Sequence, residues 1–170
     1  PVAANNTIAN NSASDSGGGL MCTNACRLRV INTILWGNMA GIGAQACIKA
    51  STGYASFRFC DMQGGSAGFT GYANGSYADN LDLDPRIADS ANGDFSLLEN
   101  SPCINAGTPD TTGLGLPLTD LAGNPRIYQG QTPRIDMGAY EFQGEPVAVE
   151  NSSLLPGRAE ILSISPNPFN

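Results

Sequence analysis

The residues with the greatest chemical potential in this chain are acidic, and they fall in loops. Asp79, Asp82 and Asp84 lie close together in the run Asp-Asn-Leu-Asp-Leu-Asp-Pro. Carboxylates grouped in this way are hard oxygen donors of the kind that hold calcium. The spacing is not that of an EF-hand loop and the closing Glu is missing, so a turn with solvated Asp side chains competes with a calcium site. No other cofactor is expected. Asp120 and Asn124 frame a turn before Pro125, which an Asx turn accounts for without a ligand. In residues 1–63 the acids are only Asp15 and Asp61, and the bases are Arg27, Arg29, Lys49 and Arg58. A glycoside hydrolase needs paired carboxylates facing a groove, and a lyase needs a carboxylate-bound cation with a Lys or Arg base. Nothing here reaches either pattern, and no catalytic residue is assigned. Arg29 and Arg58 stand 29 residues apart, close to one repeat, and are expected on one outer face. Tyr54, Phe69, Tyr72 and Tyr77, in or near glycine loops, could stack on sugars or be buried beneath the loops.

Composition narrows the chemistry further. The 170 residues contain no histidine, which excludes histidine catalysis and histidine-ligated zinc. Lys49 is the only lysine, and 8 basic against 15 acidic residues leave a net charge of −7. That balance argues against a nucleic-acid partner, because phosphate neutralisation needs basic clusters. The most apolar stretch, Val30 to Ile48, is interrupted by Asn32, Asn38, Gln45 and several glycines and is too polar to span a bilayer. The five cysteines, Cys22, Cys26, Cys47, Cys60 and Cys103, contain no Cys-x-x-Cys pair. With little lysine and abundant Asn, Gly and Ser, they suggest an extracellular protein with one or two disulfides drawn from Cys22, Cys26, Cys47 and Cys60. The competing expectation is five buried apolar thiols.

The elements that must carry these residues are short strands. Gly (21), Pro (11) and Asn (16) recur throughout the chain, which disfavours helix interiors. Leu28 and Val30, then Phe57 and Phe59, alternate with polar residues at the strand period of two. The segment Asn6-Thr7-Ile8 recurs at Asn32-Thr33-Ile34, an offset of 26, and more weakly at Cys60-Asp61-Met62, a further 28. Cys22 and Cys47, 25 apart, fall at matching places before successive copies. Glycine-punctuated strands repeating at this period predict a solenoid whose turns bury their inner faces by stacking. Asn6 with Asn32, and Asn10 with Asn38, are the expected side-chain ladders along the stack. The expected layout is β-helix rungs over 1–63, last rungs and a turn-rich C-terminal cap over 64–143, and a linker over 144–170. Neither end reads as a natural terminus, so the chain is expected to be a piece of a longer protein.

Four motifs in order carry a resemblance. They are Asn32-Thr33-Ile34-Leu35-Trp36-Gly37-Asn38, Asp61-Met62-Gln63-Gly64-Gly65, the run from Asn92-Gly93-Asp94-Phe95 to Ser101-Pro102-Cys103-Ile104-Asn105-Ala106-Gly107, and Asp120-Leu121-Ala122-Gly123-Asn124-Pro125-Arg126-Ile127 leading to Ile135-Asp136-Met137-Gly138-Ala139-Tyr140-Glu141-Phe142. Over about residues 5–143 this resembles the C-terminal end of secreted bacterial right-handed parallel β-helix proteins of the choice-of-anchor Q group, with polymorphic-outer-membrane-protein-like repeats. Asn105 departs from the Asp more usual in that family. Ile164-Ser165-Pro166-Asn167-Pro168-Phe169-Asn170 resembles the start of a type IX secretion sorting domain of Bacteroidetes. The resemblance implies an all-β right-handed parallel β-helix end, secreted or held at the cell surface. It also implies a non-catalytic role as adhesin or structural component, with carbohydrate, protein surfaces, self-association and the type IX machinery as partners. The alternative is a carbohydrate-active enzyme, lyase or hydrolase, whose groove lies in rungs upstream. Asp89-Ser90-Ala91 and Asp110-Thr111-Thr112 resemble Bacteroidetes O-glycosylation acceptors, at Ser90 and Thr111.

Overall fold

The computed structural model describes residues 1–49, 54–71, 76–127 and 134–144. The expected linker and sorting segment over 144–170 lies, beyond Gly144, outside the described residues. Among those described, no helix is long and apolar enough to cross a membrane.

Apart from two short 3-10 helices the regular structure is strand, joined by turns, and its three main sheets are parallel. β1 (Val2–Ala4), β4 (Arg27–Ile31), β7 (Tyr54–Arg58) and β10 (Tyr77–Ala78) form one sheet in that order. β2 (Thr7–Ala9), β5 (Ile34–Trp36) and β8 (Asp61–Met62) form a second. β3 (Leu20–Thr23), β6 (Ala46–Lys49) and β9 (Phe69–Gly71) form a third. The second and third sheets thus take one strand from each of three successive stretches of sequence, and the first sheet adds a fourth, β10. A short antiparallel pair, β11 (Ile87–Asp89) and β12 (Asp94–Leu97), follows.

Alternation decides what is inside. In β4, Arg27 and Arg29 are exposed while Leu28 and Val30 are buried. In β7 the inward pair is Ala55 and Phe57, which face Leu28 and Val30 across the ladder. The sequence pattern alone places Phe57 and Phe59 inward. Phe59 instead lies past the strand end with φ 51°, where the chain turns a corner. Phe57 stacks on Phe69, with centroids 5.4 Å apart, and Phe69 stacks on Tyr77 at 5.8 Å. Burying a side chain the size of Phe57 contributes roughly 2–3 kcal/mol. A second core packs Ile34, Leu97, Cys103 and Met137 together.

The repeat register corrects the expected ladders by one residue. Thr7 pairs with Ile34 and Ile34 with Asp61, so the period through these strands is 27 and not 26 or 28. Asn5, not Asn6, therefore stands beside Asn32, and the Asn32 amide donates to Asn5 Oδ1 at 3.1 Å. Asn11, not Asn10, stands beside Asn38, and donates to its Oδ1 at 3.0 Å. The cause is the corner backbone. Asn5, Asn32 and Phe59 all take positive φ, and so do Asn10, Gly37 and Gly64. Asn and Gly tolerate that left-handed conformation best, so the corners fix which residues stack. Asn6 belongs to a different column. Asn6, Thr33 and Cys60 each donate to the carbonyl two residues back, those of Ala4, Ile31 and Arg58. The third sheet keeps its own register: Cys22 faces Ile48 and Cys47 faces Met21, so the two cysteines are not equivalent positions.

Cysteine pairing is also narrower than expected. Cys22 and Cys26, with Cα atoms 5.9 Å apart, form a disulfide, while Cys47, Cys60 and Cys103 are buried thiols. Cys47 and Cys60 thus follow the buried-apolar expectation, and burial pushes the Cys60 thiol up to about 12. Thiol titration of the unfolded, unreduced chain should count three reactive groups, and the folded chain should react slowly. A count of one or five would contradict the pairing. Reducing this short loop should cost about 2 kcal/mol by the chain-entropy relation.

Candidate functional site

The expected site residues are not gathered together. Asp79 pairs with Arg58 at 2.7 Å. Asp82 Oδ1 accepts the Gly64 N–H at 2.9 Å, and Asp84 Oδ1 accepts the Arg86 N–H at 2.9 Å. Each of the three calcium candidates is thus held by a different partner, and the described residues contain no group of three acidic or thiol side chains placed to share a metal. Ser90 is half-buried and its hydroxyl accepts from Asn10 Nδ2 at 3.0 Å. Asp89 ahead of it caps a turn by accepting the Asn92 N–H. Thr111 is half-buried in a loop where Asp110 accepts the Thr112 N–H. Phe69 and Tyr77 pack on the core, Tyr54 is exposed, and Tyr72 lies outside the described residues.

The strongest concentration of ionisable groups is one that sequence reasoning missed. Asp120, Arg126, Asp136 and Glu141 are all buried, at 7%, 7%, 2% and 4% exposure. They are linked through the backbone. Asp120 Oδ1 accepts the N–H groups of Ala122 and Asn124, closing the expected Asx turn, and its Oδ2 accepts the Glu141 N–H at 2.8 Å. Glu141 Oε1 accepts the Asp136 N–H at 2.7 Å. Asp136 accepts from Asn105 and Phe142, each at 2.7 Å. Arg126 reaches Glu141 Oε2 only at 3.8 Å, and neither Arg126 Nε nor Glu141 Oε2 has a hydrogen-bond partner among the described residues.

A second set of bonds fastens residues 134–142 along the flank of the first two repeats. Gly138 N–H donates to the Asn32 carbonyl at 2.8 Å, and Ala139 N–H donates to Thr7 Oγ1 at 3.0 Å. Asn5 Nδ2 donates to the Asp136 carbonyl at 3.0 Å. Gly138 has φ 101°, and a Cβ there would stand 2.8 Å from the Ile34 side chain, so only glycine lets the segment lie this close.

Burial dominates the titration of this cluster. It raises Asp136 to about 6 and Glu141 to about 8, with the Asp136 charge adding to the rise at Glu141 and Arg126 opposing it. Burial also raises Asp120, but the N–H donors of Glu141 and Asn124 outweigh it and leave that carboxyl below its ordinary value. Three carboxyls share one guanidinium, so full ionisation would leave uncompensated negative charge in a dry site. A buried Glu141 held at the raised value has the pKa of a general acid. Its free oxygen is buried, however, so the cluster's oxygens serve backbone donors and not an approaching substrate. The sequence signal was the placing of Asp136 and Glu141 inside the otherwise apolar run Ile-Asp-Met-Gly-Ala-Tyr-Glu-Phe.

A more accessible feature lies on the outer face of the β1–β4–β7–β10 sheet. Arg29 and Arg58 do share that face, as expected. Arg29 lies across from Ser56 and Arg58 from Ile31, so the two stand on adjacent strands. With Phe59, Asp110 and Thr112 they line a cavity of about 300 Å³. The Arg58 guanidinium lies 5.5 Å from the Phe59 ring centroid.

No family model, curated protein or solved structure matched the chain in the three comparisons.

Proposed function

We propose that this chain is the end of a right-handed parallel β-helix in an extracellular or cell-surface protein, where it serves as an adhesin or a structural component and not as a catalyst. The observation that carries this reading is the common construction of three parallel sheets, each built from successive repeats, with corner side chains bonded from one repeat to the next. Stacked repeats of this kind bury a continuous core and expose long flat faces suited to contact with large partners. The fastened segment over 134–142 supports the same role. Its cluster carboxyls hold the segment's own backbone, while Asn5, Gly138 and Ala139 bond it to the repeats. The Cys22–Cys26 disulfide supports an oxidising setting. Export by type IX secretion rests on the resemblance of residues 164–170.

Two measurements test the reading. Protease added to intact producing cells should cleave the protein while a cytoplasmic marker survives; protection of both would overturn the surface location. Purified protein incubated with acidic and neutral polysaccharides should release no reducing ends and no unsaturated uronates. Release of either would replace the non-catalytic reading with a lyase or hydrolase.

A further inference from the structure

From the outer face of the β1–β4–β7–β10 sheet we infer a binding site for an acidic polysaccharide, with Arg29 and Arg58 taking the sugar carboxylates. The inference deepens the surface-protein reading by naming the partner's chemistry, and it rests on that reading only for biological context.

Charge is the first argument. The chain carries −7 overall with only 8 basic residues, yet Arg27, Arg29 and Arg58 project from adjacent strands of this one face, all exposed. Arg29 makes no ion pair among the described residues. Its planar fork matches a carboxylate bidentately. Arg58 is held in place by Asp79 at 2.7 Å and lies over the Phe59 ring. It therefore presents a fixed edge with little ordering cost on binding.

The remaining groups select among anions. The loop over residues 108–114 walls the cavity and brings Asp110 and Thr112 opposite the arginines. A carboxylate and a hydroxyl are partners for the hydroxyls that each uronate residue carries and inorganic polyphosphate lacks. That favours a uronate over a bare phosphate polymer. Tyr54, across the ladder from Arg27 and 37% exposed, offers a ring beyond the cavity on which a second sugar can stack. The 300 Å³ cavity is at the small end of ligand sites, fitting one sugar residue with the chain continuing over the sheet.

The test is affinity electrophoresis and calorimetric titration of the full chain with polygalacturonate and alginate, with neutral dextran and inorganic polyphosphate as comparisons. Retardation by the uronates and not by dextran is expected. Arg29→Ala should weaken uronate binding about tenfold or more, and Arg29→Lys should recover only part of it. Lys49→Ala, on a different sheet beside Asp15, should bind as the parent does. Arg29 is an exposed strand residue, so loss of folding is not expected; a circular dichroism melt of each variant verifies it. Equal binding to polyphosphate, or equal loss in Lys49→Ala, would reduce the site to general ion exchange and overturn the inference. Binding to no uronate would overturn the inference and leave the surface-protein reading standing. Cleavage of a bound uronate would leave the inference standing and overturn the non-catalytic reading.

Discussion

Replacing Asn32 with alanine is expected to destabilise the protein by about 3–4 kcal/mol, measured as a lowered midpoint in guanidinium unfolding at unchanged slope. Asn32 is fully buried and joins three parts of the chain. Its amide donates to Asn5 Oδ1, its Oδ1 accepts the Thr108 N–H at 2.8 Å, and its backbone carbonyl accepts from Gly138. Alanine removes both side-chain bonds and leaves a buried N–H at Thr108 with no acceptor, worth about 1–3 kcal/mol. It also places an unsuited residue at φ 49°, which costs about 1 kcal/mol more. Asn32→Gly separates the two causes. Glycine accepts the left-handed corner but restores neither hydrogen bond, so it should recover only about 1 kcal/mol. If alanine and glycine were equal and both cost under about 1 kcal/mol, the corner amide would not be holding the repeats to the C-terminal segment.

The same residue shows what the sequence could and could not disclose. Strand identity was legible because Leu28 and Val30 alternate with Arg27 and Arg29, and a buried face imposes period two on any strand. The existence of a repeat was legible from Asn-Thr-Ile and its copy. Its register was not, because Asn-rich segments align almost as well one residue out. Asn5-Asn6 and Asn10-Asn11 each offer two neighbouring choices. What separates them is backbone conformation: the first residue of each pair takes positive φ and the second does not. The disulfide between Cys22 and Cys26 was one of several allowed pairings, and only the chain path over 22–26 selects it. The buried cluster was harder still. Asp120, Arg126, Asp136 and Glu141 come together through bonds between stretches of the C-terminal segment that are up to 31 residues apart. Period and propensity describe neighbours in sequence, so they carry no information about such a closure. Asp120 and Asn124 were readable as a turn because that interaction is local.

The cluster, together with Asp61, is expected to give the protein an acid-side stability optimum. Asp61 and Asp136 are raised to about 6 and Glu141 to about 8, each chiefly by burial. A raised carboxyl holds its proton more tightly in the folded than in the unfolded chain. Its stabilising contribution is complete below the unfolded value, near 4, and is lost as pH climbs through the folded value. Unfolding free energy should therefore fall as pH rises from about 5 to about 8, first through Asp61 and Asp136 and then through Glu141. Asp120, lowered in the folded state, works in the opposite sense only at lower pH. A tenfold difference in proton affinity between the folded and unfolded chain corresponds to about 1.4 kcal/mol. Because Arg126 compensates part of the charge, a net fall of about 2–3 kcal/mol is expected, or roughly 5–10 °C in melting temperature. Glu141→Gln keeps an oxygen for the Asp136 N–H while removing the titration, so it should flatten the profile above about pH 6. Asp61 lies beside Cys103 of the second core, so Asp61→Asn should leave that upper limb unchanged while flattening the lower one. Thermal melts of the three proteins across this range decide the matter. A parent protein whose melting temperature rises from pH 5 to pH 8 would show that Arg126 keeps Glu141 ionised in the fold, and would replace a proton-stabilised closure with a simple buried ion pair.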